Sequence, residues 1–124
     1  RVQGKTEAGA QKLIEDALAI QEAGAFAVVL ECIPAKLADM ITKKLDIPTI
    51  GIGAGAGCDG QILVYQDMLG LFSEYTPKFV KHFAELGGAM KEAFQAYDRE
   101  VKAGSYPAPE HTFKIDDDVL EKLY

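Results

Sequence analysis

Apolar residues recur at helical spacing in the first part of the chain. Ala10, Leu13, Ile14, Ala17 and Leu18 fall at i, i+3 and i+4 positions on one face, joined by the polar Gln21. The spacing predicts a helix over 6–23, with Thr6 as its N-cap and Gly24 as its stop. Phe26-Ala27-Val28-Val29-Leu30 follows with no polar break, the pattern of a strand covered on both faces. Glu31-Cys32-Ile33-Pro34 ends that run. A second helix is predicted over 35–45, with Leu37, Ala38, Ile41 and Leu45 on one side and Lys36, Asp39, Lys43 and Lys44 on the other. After the turn Asp46-Ile47-Pro48, Thr49 to Gly53 reads as another buried strand.

A Gly-rich loop over 54–60 leads to Gln61-Ile62-Leu63-Val64-Tyr65, a third expected strand. Ser73 to Pro77 reads as a turn, and Pro77 suits the first turn of a helix. Helical patterning covers 77–86, breaks at Gly87-Gly88, resumes over 89–103 and stops at Gly104. Residues 105–114 read as a surface tail. Asp116-Asp117-Asp118 ahead of Val119, Leu120 and Leu123 predicts a short terminal helix with an acidic start. Helix and strand alternate with short connections, the signature of a parallel sheet with crossover helices.

The length of 124 residues allows one domain with a core. Three parallel strands do not close a barrel, however, and a (β/α)8 barrel takes about 250 residues. The choice is between a small open sheet and part of something larger. The opening Arg1-Val2-Gln3-Gly4 has no strand before the first helix, which favours the larger fold. With 13 basic against 19 acidic residues the net charge is −6, and Lys43-Lys44 is the longest basic run, so a nucleic-acid partner is not expected. No apolar run approaches the ~20 residues of a membrane span, and no signal peptide is read over residues 1–25. Two cysteines, Cys32 and Cys58, make no disulfide framework, and a reduced, cytoplasmic setting is expected.

Glu31 stands where a buried strand meets a loop. Ligand sites in α/β folds lie at the C-terminal ends of strands. A carboxylate there, partly desolvated, is a candidate base; a rim salt bridge is the plainer alternative. The segment 51–60 holds five glycines, and Gly55 to Gly60 matches the dinucleotide pattern G-x-G-x-x-G. That pattern should open a helix, whereas 61–65 looks extended, so a tight loop is the stronger reading. Asp59 lies near a strand end, and Asp67 reads as a helix cap. His82 reads as a solvated surface residue, and Cys32 as a small buried one.

Several stretches together carry a resemblance. Val2-Gln3-Gly4-Lys5, Val29-Leu30-Glu31-Cys32-Ile33-Pro34 and Ile50-Gly51-Ile52-Gly53-Ala54-Gly55 occur in order. Asp59-Gly60-Gln61-Ile62-Leu63-Val64, Asp67-Met68-Leu69-Gly70 and Thr76-Pro77-Lys78-Phe79 follow. From Val2 to about Phe113 the chain resembles the ketopantoate hydroxymethyltransferases, a (β/α)8-barrel family of the phosphoenolpyruvate/pyruvate superfamily about twice this length. The resemblance implies that residues 1–113 are the C-terminal half of such a barrel, with strands six to eight and the closing helices, and that 114–124 are a tail.

The activity it implies is transfer of a one-carbon unit from 5,10-methylenetetrahydrofolate to 3-methyl-2-oxobutanoate, giving 2-dehydropantoate. Mg2+ would stabilise the enolate, and Glu31 would remove the C3 proton. Ile52, Ile62 and Val64 match the family's pocket-lining positions. The metal ligands and the substrate lysine match nothing in this sequence and are expected on the absent N-terminal half, so the fragment alone is expected to be inactive. The family forms large homo-oligomers, commonly decamers. Gly57-Cys58 departs from the bulkier or more polar residues common in the family's seventh loop. Two other readings stand beside this one. A Rossmann-type oxidoreductase using Gly55 to Gly60 requires a helix starting near Gly57. A non-catalytic assembly module would use the strand edge beside residues 26–30.

Overall fold

The computed structural model describes residues 1–71 and 74–124, a mixed α/β chain built on a three-stranded parallel sheet. Its elements are α1 (Glu7–Glu22), β1 (Val28–Glu31), α2 (Ala35–Lys44), β2 (Thr49–Ile52), β3 (Gly60–Gln61), α3 (Tyr65–Met68), α4 (Leu86–Ala103), a 3-10 turn (Pro109–His111) and α5 (Asp117–Glu121). They divide into two compact units, Arg1–Ala84 and Glu85–Tyr124.

In the first unit the order across the sheet is β1-β2-β3. Val28 pairs with Thr49 and Glu31 with Ile52, while Ile50 pairs with Gly60. The α1 and α2 helices cover one face. Leu30 and Ile33 pack there with Ala17, Leu37, Ala38, Ile41 and Leu45 into a buried cluster, in which Ala38 and Ile41 are almost wholly removed from water. Thr6 caps α1 by accepting a hydrogen bond from the Gly9 N–H at 3.1 Å. Gln21, the polar member of α1's apolar face, is explained by its amide oxygen. It accepts from the backbone N–H groups of Asp46 (2.6 Å) and Ile47 (3.1 Å), fixing the turn that enters β2.

A polar network around one buried residue holds the base of β2. Thr49 is fully buried, and its N–H and hydroxyl donate to the Asp59 carboxylate at 2.9 and 3.3 Å. The Asp59 N–H returns a bond to Thr49 Oγ1, and Thr42 on α2 shares a 2.8 Å hydroxyl contact with the same oxygen. Buried polar groups are tolerated when paired in this way.

The Gly-rich loop is a packing device. A Cβ on Gly55 would lie 2.5 Å from the Ala35 Cβ, and one on Gly57 would lie 2.8 Å from the Asp39 Cβ, so the loop rests directly on α2. Gly55 also has φ +79°, which L side chains rarely adopt. The loop leads into a strand and opens no helix, so the dinucleotide reading of Gly55 to Gly60 fails on its own criterion.

Four local expectations need correction. The third strand is confined to Gly60–Gln61; Ile62 continues the ladder through its N–H to the Gly51 carbonyl (3.0 Å), and Tyr65 already starts α3. The helix expected over 77–86 does not form. Phe83 N–H donates to the Met68 carbonyl at 2.7 Å and Phe79 packs at Gly53, so tertiary contacts draw this segment out across the first unit. The expected break at Gly87-Gly88 is absent, because α4 runs through both: glycine costs a helix only about 1 kcal/mol each. Finally, β1 is covered on one face only, since Val29 is 54% exposed. Ser73, the first residue of the expected 73–77 turn, lies outside the described residues.

In the second unit α4 ends at Gly104, which takes the left-handed conformation of a C-cap. Tyr106 makes tilted ring contacts with both Tyr97 and His111, and His111 Nδ1 accepts from the Ala108 N–H at 3.0 Å. The acidic-start helix is present as α5. Among the described residues no helix is long and apolar enough to cross a membrane.

Two stability predictions follow from this packing. Ile41→Ala should lower the unfolding free energy by about 2–5 kcal/mol in urea titrations; a loss under about 1 kcal/mol would show that this cluster is not the core. Gly55→Ala should destabilise the chain by more than about 1 kcal/mol, whereas Gly88→Ala, at an open helical position, should stabilise it by roughly 0.5–1 kcal/mol. The two substitutions separate a packed glycine from a merely permissive one.

Candidate functional site

Side chains alternate across a strand, and laterally paired residues of a parallel ladder share a face. The register therefore puts Val29 and Glu31 of β1 on the same face as Ile50 and Ile52 of β2. Gly60 joins that face, since a Cβ on it would meet Ile50 Cδ1 at 2.9 Å, and Ile62 follows two residues later. This is the face opposite α1 and α2. Three of the four expected site residues, Glu31, Ile52 and Ile62, thus come together at the C-terminal ends of the strands, Glu31 and Ile52 as direct partners. The fourth, Val64, follows as the N-cap position of α3.

Their surroundings differ from the expectation. Glu31 is exposed rather than partly desolvated, because β1 is the edge of the sheet and its neighbour Val29 on the same face is exposed too. Ile62 and Val64 are 48% and 45% exposed, whereas Ile52 is buried. No rim salt bridge to Glu31 is present among the described residues.

The residue after Glu31 carries a feature that the sequence did not signal. Cys32 has φ 52°, the one positive φ of a non-glycine among the described residues. Two backbone bonds hold it there: its N–H donates to the Ile52 carbonyl and its carbonyl accepts from the Gln3 N–H, both at 2.9 Å. This left-handed turn ends β1 at Glu31 and directs Ile33 into the core. Cys32 is half-buried, not buried as its small size suggested, and both cysteines are free thiols.

The other candidates separate from the site. Asp59 is committed to Thr49. Asp67 lies inside α3 and caps nothing; Val64 takes the N-cap position with no side-chain bond. His82 is half-buried, with Nε2 3.5 Å from Thr76 Oγ1, rather than fully solvated.

Two cavities open beside the strand ends. The larger, about 700 Å3, is lined in part by Cys32, Ile33, Gly53, Asp59, Lys78 and Phe79. The smaller, about 290 Å3, is lined by Gly53, Gln61, Ile62, Met68, Phe79 and Phe83 among others. Gly53, Gln61 and Phe79 belong to both. Glu31, Ile52 and Val64 line neither. Among the described residues no group of three or more His, Cys, Asp or Glu side chains converges on a point that would hold a metal ion.

The family model described as ketopantoate hydroxymethyltransferase matches residues 1–109. A relative from Clostridium novyi (strain NT), named 3-methyl-2-oxobutanoate hydroxymethyltransferase, is 69% identical over the whole chain. Relatives with the same name from Enterococcus faecalis (strain ATCC 700802 / V583) and Clostridium botulinum (strain Alaska E43 / Type E3) are 65% and 61% identical over the whole chain. In each case the chain spans 45% of the relative's length. These matches, over most or all of the chain, show that it belongs to the ketopantoate hydroxymethyltransferase family.

Proposed function

We propose that this chain supplies the C-terminal half of a (β/α)8 barrel that transfers a hydroxymethyl group from 5,10-methylenetetrahydrofolate to 3-methyl-2-oxobutanoate, giving 2-dehydropantoate. The observation that carries the proposal is the placement of Glu31. It ends β1 in direct register with Ile52, on the face shared with Ile62, in a chain whose relatives bear this activity in their names. Residues 1–113 form the barrel part in this reading and 114–124 a tail. The working enzyme is a cytoplasmic homo-oligomer.

Glu31 acts as general base and takes the proton from C3 of the oxo acid. C3 then bonds to the methylene carbon as its first C–N bond breaks, water displaces the second folate nitrogen and supplies the hydroxyl group, and the two nitrogens take up the C3 proton and the proton of the water as tetrahydrofolate departs. A base needs heavy-atom separation of about 2.6–3.2 Å along the proton's path and works better when partly dry. Barrel closure over the open face would dry Glu31 and Val29 together. Ile52, Ile62 and Val64 give the isopropyl group an apolar wall, worth about 0.8 kcal/mol per buried CH2. The Mg2+ implied by the resemblance finds no fitting ligand set among the described residues. Its ligands belong, in this reading, to the other half of the barrel.

The test is Glu31→Gln in the full-length enzyme, read as deuterium exchange at C3 of 3-methyl-2-oxobutanoate by NMR. Exchange should fall by about 10²–10⁴-fold. An unchanged rate would remove Glu31 from the base role.

A further inference from the structure

Glu31 is exposed, and among the described residues no ion pair holds its carboxylate. A side chain without such a partner is aimed by its backbone. The Cys32 N–H belongs to the peptide plane that follows Glu31. Its 2.9 Å bond to the Ile52 carbonyl therefore fixes that plane, and with it the ψ angle of Glu31. The Cys32 carbonyl belongs to the next plane, which the Gln3 N–H holds at 2.9 Å. Both planes are pinned around a residue with φ 52°. Cysteine is not among the residues that favour the left-handed region, and such a conformation persists where its surroundings overdetermine it. The two bonds supply that determination.

Gln3 reaches this turn because the residue after it is wedged between two helices. Gly4 has φ +71°, and a Cβ there would stand 2.7 Å from both Leu13 Cδ1 of α1 and Leu37 Cδ2 of α2. Leu37 is a member of the core, and Leu13 packs against it. The Gln3 side chain turns to the Arg1 carbonyl at 3.2 Å, so the group that reaches Cys32 is the backbone N–H. A line of contacts thus runs from the packing of α1 and α2 through Gly4 and Gln3 to the residue beside the base.

We propose that Gln3 and Cys32 are positioning residues, a backbone clamp on the two peptide planes after Glu31 that aims the carboxylate at the C3 proton. The clamp rests on the reading of Glu31 as the base and adds to it what holds the base in place. With β1 paired to β2 and both following planes pinned, Glu31 keeps only the rotations of its own side chain. A misplacement of about 1 Å at a reacting group costs about 100-fold in rate, so a loosened clamp is visible in the chemistry.

The experiment uses the full-length enzyme and C3 deuterium exchange of 3-methyl-2-oxobutanoate. Gln3→Pro removes the N–H that Cys32 accepts, and the conservative Gln3→Ala keeps it. Gln3→Pro should lower the maximal exchange rate roughly 10–100-fold and leave the KM for the oxo acid within about threefold of wild type, the split of a misaimed base. Gln3→Ala should restore wild-type exchange. Cys32 gives an independent arm if Gln3→Pro does not fold. Cys32→Gly takes φ 52° freely and should stay within about threefold of the wild-type rate, whereas the β-branched Cys32→Val should lose as much as Gln3→Pro. Gln3→Ala falling together with Gln3→Pro, equal losses in Cys32→Gly and Cys32→Val, or a change confined to KM would overturn the clamp. Adding Gln3→Pro to Glu31→Gln separates the clamp from the base reading. A clamp that works through Glu31 should cost no further exchange in that double variant. A full additional loss would overturn the clamp and leave the base in place, while unchanged exchange in Glu31→Gln alone is the separate failure of the base reading.

Discussion

The parallel pairing of β1 with β2 is the constraint on which the site depends. Side chains alternate along a strand, so a slip of one residue would carry Glu31 to the helix-covered face and Leu30 to the open one. The register is held from both ends of β2. At its start, the buried Thr49 is locked to Asp59 and Thr42 by part-buried hydrogen bonds. At its end, the Ile52 carbonyl takes the Cys32 N–H, and Cys32 is held in a left-handed turn with help from Gln3. Sliding β1 would break the second anchor and expose Leu30 and Ile33, two members of the core.

The same pairing explains why the Gly-rich loop has its composition. The loop must leave β2, cross the N-terminal part of α2 and return to start β3 beside Ile50, with Asp59 arriving at Thr49 on the way. Gly55 and Gly57 allow it to lie directly on Ala35 and Asp39. Glycine here serves close backbone packing, and Gly55 and Asp59 of the loop line the larger cavity.

What could be read from the sequence was what local physics decides. The apolar face and Thr6 cap of α1, the two-sided charge pattern of α2, and the strands around Val28–Glu31 and Thr49–Ile52 all follow from periodicity and caps. Glu31 was legible as a strand-end carboxylate, and Ile52 and Ile62 as its companions through the family's motif order. Long-range contacts were not legible. Nothing near Pro77 signals that Phe79 will be held at Gly53 in place of forming a helix, and nothing near Gln21 signals its bonds to Asp46 and Ile47. The run 26–30 reads as a strand covered on both faces, which is how it would sit inside a closed barrel; with β1 at the sheet edge, one face stays open.

We propose that the oxo acid reacts at the open face of the strand ends. A crystal structure of the full-length enzyme with 3-methyl-2-oxobutanoate bound measures this directly. A Glu31 carboxylate oxygen should then lie within about 3–3.5 Å of C3, the separation of a near-attack geometry, with the isopropyl group against Ile52 and Ile62. A substrate bound on the helix-covered side of the sheet, or a Glu31 carboxylate turned away from C3 and beyond the reach of one bridging water, would contradict it.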